Sequence, residues 1–87
     1  MYKVDVILTN ETGLHARPAS MFIKEALKYK SEIKVIKNSK EYNGKSIISI
    51  LSMNAIKGSL LTITADGVDE MDALGELKNL IDSDFVK

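Results

Sequence analysis

The sequence predicts an α+β fold, a layer pair with helices on one face of a four-stranded sheet. Strand-like and helix-like segments follow one another in the order β-α-β-β-α-β-α. The first and last strands alternate apolar and polar residues, as a sheet with one buried face requires, and the long helices repeat apolar residues every three or four positions. That order has too few helical crossovers for a doubly wound parallel sheet, and a sheet covered on one side leaves its second face to water.

Tyr2 to Thr9 makes the first strand, with Tyr2, Val4, Val6 and Leu8 on one side and Lys3, Asp5, Ile7 and Thr9 on the other. After the Asn10–Gly13 loop, Ala19, Phe22, Ile23, Ala26 and Leu27 recur at helical spacing. Pro18 falls in the first turn of that helix, where its missing N–H costs nothing. Ile33 and Val35 begin a second strand, and Asn38-Ser39 marks a tight turn into a third that ends near Tyr42. Asn38 tolerates a positive φ and Ser39 does so less well than glycine, which leaves the turn type open. Ser46 caps a short helix through Ile47-Ile48-Ser49-Ile50-Leu51. Leu61, Ile63 and Ala65 alternate in a fourth strand that Asp66-Gly67 ends. Asp69 caps a last helix whose buried stripe is Met71, Ala73, Leu74, Leu77, Leu80 and Ile81. Ile7, Ile36 and Leu60 point to the open face of the sheet, ordinary surface aliphatics unless they join into a patch for weak self-association.

The bulk numbers exclude several classes of function. No linker, repeat or low-complexity tract divides the 87 residues, so one domain over 1–87 is expected, with a modest core from 45% hydrophobic residues. Lysine plus arginine balance aspartate plus glutamate at 12 each, so no global field favours nucleic acid or an anionic membrane. Three tyrosines and two phenylalanines without a basic cluster give nucleic acid no binding platform either. The absence of cysteine removes disulfides and thiolate metal sites and fits a reducing compartment. No apolar run follows a basic start, and none approaches the roughly 18 residues of a membrane span. A soluble cytoplasmic protein without membrane insertion is expected.

Chemistry concentrates in Gly13-Leu14-His15-Ala16-Arg17-Pro18-Ala19, which holds the one histidine and the one proline of the chain. A lone histidine is most often a solvated loop residue or a helix cap. Here its neighbours Gly13 and Ala16 are small, leaving the ring accessible to a bulky partner. Arg17 is close enough to reach the same anion, and its planar fork suits phosphate oxygens. A helix start adds free N–H groups and the positive end of a dipole. A neutral imidazole nitrogen there can act as a nucleophile, so the segment suggests a histidine that carries a phosphoryl group. A single histidine without cysteine cannot supply a zinc shell, so no metal is expected. The chain also lacks the Gly-x-Ser-x-Gly elbow of a serine hydrolase.

With this heptad at the first helix, Lys45-Ser46-Ile47 at the second and Lys57-Gly58 before the fourth strand, the chain resembles over essentially its full length the HPr family. These are the histidine-containing phosphocarriers of the bacterial phosphoenolpyruvate:sugar phosphotransferase system. The resemblance implies an open-faced β-sandwich, three helices over a four-stranded antiparallel sheet. It implies that His15 takes phosphate on Nδ1 from phosphorylated enzyme I and passes it to the A domain of a sugar-specific enzyme II, with Arg17 neutralising phosphoryl charge. Such a protein is a carrier and co-substrate rather than an enzyme, needs no cofactor, and is expected to be a monomer.

The short second helix carries more apolar surface than it can bury. Ile47, Ile48 and Leu51 are therefore read as an apolar docking patch, as in HPr relatives, with Met21 and Lys24 of the first helix extending it. Lys24 and Lys45 would steer acidic partner surfaces. Ser46 serves as an N-cap on any reading. The resemblance to Gram-positive members adds its phosphorylation by an HPr kinase/phosphorylase, and contact with a catabolite-control regulator. Ser49 and Asn54 stand where those members usually have glycine, and Ile48 where methionine is usual. Asn54 can still adopt a left-handed backbone, and a serine at 49 adds a hydroxyl to the docking face. Two other readings use the same residues: a regulatory HPr-like module acting through Ser46 and protein contacts, and a carrier in a nitrogen-linked phosphotransferase branch.

Overall fold

A computed structural model describes residues 1–85 and folds them as β1 (Tyr2–Ile7), α1 (Ala16–Ala26), β2 (Glu32–Lys37), β3 (Lys40–Asn43), α2 (Ile47–Ser52), β4 (Leu60–Asp66) and α3 (Glu70–Asp82). The four strands form one sheet in the order β1-β4-β2-β3, antiparallel throughout. The crossover through α1 leaves a slot between β1 and β2 that β4 fills, a split β-α-β arrangement. Register puts Val4 opposite Ile63, Val6 opposite Leu61 and Val35 opposite Ile63, so the apolar halves of the alternations share one face. Ala19, Phe22 and Ala26 of α1, Ile50 of α2 and Leu77, Leu80 and Ile81 of α3 complete the core.

The second face is open, as the one-sided helical cover requires. Ile7 and Leu60 are paired and exposed there, and the Thr62 hydroxyl donates to the Asp5 carboxylate at 2.6 Å. Lys34 lies between the carboxylates of Glu32 and Glu41. Asn38 and Ser39 both take positive φ, 52° and 67°, which settles the β2–β3 connection as a type I′ turn. Ser39 bears that conformation because the sheet register on both sides imposes the right-handed twist that such a turn matches.

Three residues depart from the expected pattern. Leu27 is exposed, since five residues at about 100° each put it some 140° around the helix from Phe22. Met71 is exposed for the same reason, about 120° from Leu77 and off the α3 stripe. Asp69 occupies the N-cap position of α3 without a side-chain cap bond. Its carboxylate instead accepts the backbone amides of Lys30 and Ser31, at 2.8 and 2.9 Å, and the Ser31 hydroxyl at 2.5 Å. These donors, the Ser31 hydroxyl foremost, hold the carboxyl down from its ordinary 3.8 to about 2. Asp69 thus ties the start of α3 to the segment that follows α1.

Glu25 is a buried charge on the inner side of α1, a position the apolar stripe does not reveal. Its carboxylate accepts from Lys28 Nζ at 3.1 Å and from the Tyr29 hydroxyl at 3.0 Å. Burial, and then Glu25, pushes the Tyr29 phenol up to about 12.

Candidate functional site

The loop that joins β1 to α1 is fixed along its length. Leu8 donates to the Ser59 carbonyl at 3.0 Å and accepts from the Gly58 amide at 2.7 Å, extending the β1–β4 ladder beyond the strand. Asn10 closes a turn with Gly13: the Gly13 amide donates to the Asn10 carbonyl at 3.2 Å, and Asn10 Nδ2 donates to the Gly13 carbonyl at 2.8 Å. Leu14 is buried and its amide donates to the Ala55 carbonyl at 3.0 Å. Gly13 has φ +60°, and a β-carbon there would lie 2.5 Å from Ala55 O and 2.7 Å from Ile56 Cα. Only glycine combines that backbone with that approach.

His15 comes next, in extended conformation, as the N-cap residue of α1. Its carbonyl accepts the Ala19 amide at 2.9 Å, but its side chain makes no cap bond and the ring is exposed. Pro18 has no N–H to offer. The amides of Ala16 and Arg17, in the first turn of α1, have no intrahelical acceptor and no other partner among the described residues. Arg17 is exposed, and the first turn of α1 contains no acidic residue. Among the described residues it forms no ion pair, although a cation at a helix N-terminus opposes the dipole.

His15 and Arg17 share a shallow open cleft with Pro18 and Met21. Asn10 and Thr12 line its loop side, and Asp84 and Phe85 form the far wall. The last two follow α3 in a left-handed turn, φ 57° and 62°, with the Phe85 amide donating to Leu80 O at 2.9 Å. The Thr9 hydroxyl donates to the Asp84 carboxylate, fastening this turn to the histidine loop. Neither Asp84 nor Phe85 carries a pattern that would have marked it in the sequence. Asn10 does: asparagine is a habitual closer of short turns. Among the described residues no group of three or more His, Cys, Asp or Glu side chains is placed to hold a metal ion.

α2 packs against α1 and presents its remaining face to solvent. Ile50 is fully buried, whereas Ile47, Ile48 and Leu51 are 38%, 77% and 41% exposed. Met21 is half-buried and Lys24 exposed. Lys45 is half-buried, and its ammonium donates to the Tyr29 carbonyl at 2.6 Å, so it braces the segment between α1 and β2. Ser46 is the N-cap of α2, its Oγ accepting the Ser49 amide at 3.3 Å. The Ser49 hydroxyl accepts the Asn43 amide at 2.9 Å, linking α2 to β3. Asn54 takes φ +56°, the left-handed conformation expected of it.

An exposed imidazole sharing an open cleft with a guanidinium that forms no ion pair among the described residues is suited to offering one nucleophile to another macromolecule. That arrangement on an open-faced sandwich defines a small group-carrying protein. Residues 2–83 match the family described as the PTS HPr component phosphorylation site. The phosphocarrier protein HPr of Buchnera aphidicola subsp. Acyrthosiphon pisum is 46% identical over 77 residues, 88% of this chain and 91% of that one. The crystal structure of HPr-C-His from Thermoanaerobacter tengcongensis superposes with a TM-score of 0.96 at 42% identity, covering 98% and 96% of the two chains. An HPr dimer from the same organism superposes with a TM-score of 0.80 at 41% identity over 100% of both chains. The chain belongs to the HPr family of phosphocarrier proteins of the phosphotransferase system, which are carriers rather than enzymes.

Proposed function

We propose that His15 is the residue that carries the phosphoryl group, taking it from phosphorylated enzyme I and passing it to the A domain of a sugar-specific enzyme II. The observation that carries this reading is the exposed ring of His15 in one cleft with Arg17, neither bonded by a side chain among the described residues, at the start of α1. The Nδ1 lone pair of neutral imidazole attacks phosphorus, the proton staying on Nε2. The new N–P bond forms as the bond to the donor breaks, and its electron pair returns to the donor. Arg17 and the amides of Ala16 and Arg17 then face the phosphoryl oxygens, and the dipole of α1 favours their charge. Positioning and charge stabilisation are what such a transfer needs from the protein.

Ile47, Ile48 and Leu51, with Met21 at their side, supply the apolar centre of a transient docking surface, and Lys24 a steering charge at its rim. With Lys45 bound to the Tyr29 carbonyl, its part is to tie the approach to α2 to the segment after α1 more than to steer. A phosphate placed on Ser46 by an HPr kinase/phosphorylase is tolerated by the start of α2 and puts charge amid this surface, weakening acceptance at His15 and offering a handle to a catabolite-control regulator. The carrier works as a monomer in the cytoplasm, since cleft and docking face are complete on one chain. No helix among the described residues is long and apolar enough to cross a membrane.

Long-range nitrogen–phosphorus and nitrogen–proton correlations of the phosphorylated protein test the assignment. Coupling of phosphorus to Nδ1 of His15 is expected. Phosphate on Nε2 or on another residue would contradict it.

A further inference from the structure

We infer that Asn10 is a positioning residue for transfer at His15, an inference that rests on the carrier reading above. One peptide unit, Gly13–Leu14, lies a single residue ahead of the histidine and is held from both edges. Its carbonyl accepts Asn10 Nδ2 at 2.8 Å, and its N–H donates to Ala55 O at 3.0 Å. Among the described residues no hydrogen bond holds the His15 ring, so its place relative to the Ala16 and Arg17 amides follows from where this peptide unit points. Asn10 Nδ2 also reaches Thr12 Oγ1 at 3.3 Å, and both residues line the cleft.

The other end of the same amide shows what the residue is kept for. Asn10 Oδ1 is buried and accepts no hydrogen bond from another protein group among the described residues. A buried acceptor left alone is unfavourable, and native structures retain few of them. The donor at Nδ2 is what justifies asparagine, and what it orients is the approach to His15. Departures from local rules of this kind concentrate at functional sites.

The test uses Asn10→Ala, and Asn10→Ser in case the first variant folds poorly, since a serine hydroxyl is too short to span to the Gly13 carbonyl. Phosphoryl acceptance from phosphorylated bacterial enzyme I is measured with thermal unfolding and the imidazole resonances of His15. The expected result is a kcat lower by about tenfold, a KM for the carrier within about twofold of wild type, melting close to wild type, and displaced His15 resonances. A kcat within about twofold of wild type, a loss confined to KM, or unfolding of both variants would overturn the inference. Should wild type itself accept no phosphate at His15, the carrier reading falls. Displaced ring resonances in the variants would then still support the positioning, and unmoved ones would overturn it.

Discussion

Gly13 lies against the backbone of Ala55 so closely that a β-carbon on it would come within 2.5 Å of the Ala55 carbonyl oxygen. The contact joins the histidine loop to the segment entering β4, and it leaves no flexible side chain to yield. We predict that Gly13→Ala destabilises the fold by about 2–4 kcal/mol, from the left-handed φ and the collision together. It also moves the start of α1, so phosphate acceptance falls further than the unfolded fraction explains. Denaturant midpoints measured beside transfer rates check both; a variant of wild-type stability would contradict the packing.

Ile48 and Ile50 are two residues apart on α2, one 77% exposed and the other fully buried. Ile50→Ala is expected to cost about 2–5 kcal/mol by leaving a cavity under α2. Ile48→Ala should leave stability within about 0.5 kcal/mol while raising the KM for enzyme I, since it removes docking area only. An unchanged KM for Ile48→Ala would remove that residue from the docking surface.

Asp69 makes stability depend on acid pH. Its carboxyl is held down from 3.8 to about 2 by the Ser31 hydroxyl, then by the Lys30 amide and the Ser31 amide. A depressed folded value means that the ionised form is the stabilised one. The contribution is complete above the ordinary 3.8 and is lost as pH falls through about 2. Wild type should therefore lose melting temperature more steeply across that window than Asp69→Asn. Parallel curves for the two proteins would contradict the assignment.

Ser46→Asp is expected to keep the fold, because aspartate is as good an N-cap as serine, and to slow phosphorylation of His15 by raising the KM for enzyme I. Ser46→Ala separates the two roles. It should lose about 1 kcal/mol with the cap while accepting phosphate at the wild-type rate. Equal rates for Ser46→Asp and wild type would remove the proposed coupling between α2 and the histidine.

The parts legible in the sequence are those where periodicity and local chemistry agree. The alternation of Val4 and Val6, the stripe of Leu74, Leu77 and Ile81, the cap at Ser46 and the left-handed Asn54 all act through near neighbours, and each takes its expected place. Misreadings arose where distant residues decide. Asp69 is a good N-cap by type, yet the amides of Lys30 and Ser31, brought to it by the fold, take its carboxylate. Lys45 stands out in the sequence by its charge, and its bond to the Tyr29 carbonyl, 16 residues away, comes only with the fold. Leu27 and Met71 are apolar at roughly helical spacing, but the sheet covers a narrower stripe than that spacing allows. At the site, His15 and Arg17 were visible from their motif, whereas Asp84 and Phe85 reach the cleft only through the turn after α3.

The most direct test of the central claim is the intact mass of the protein after incubation with phosphoenolpyruvate and bacterial enzyme I, beside His15→Ala. The account predicts one acid-labile phosphate on wild type and none on the variant, with both proteins folded. No phosphate on folded wild type, under conditions where the same enzyme I charges another HPr, would contradict it, as would an equal phosphate on His15→Ala.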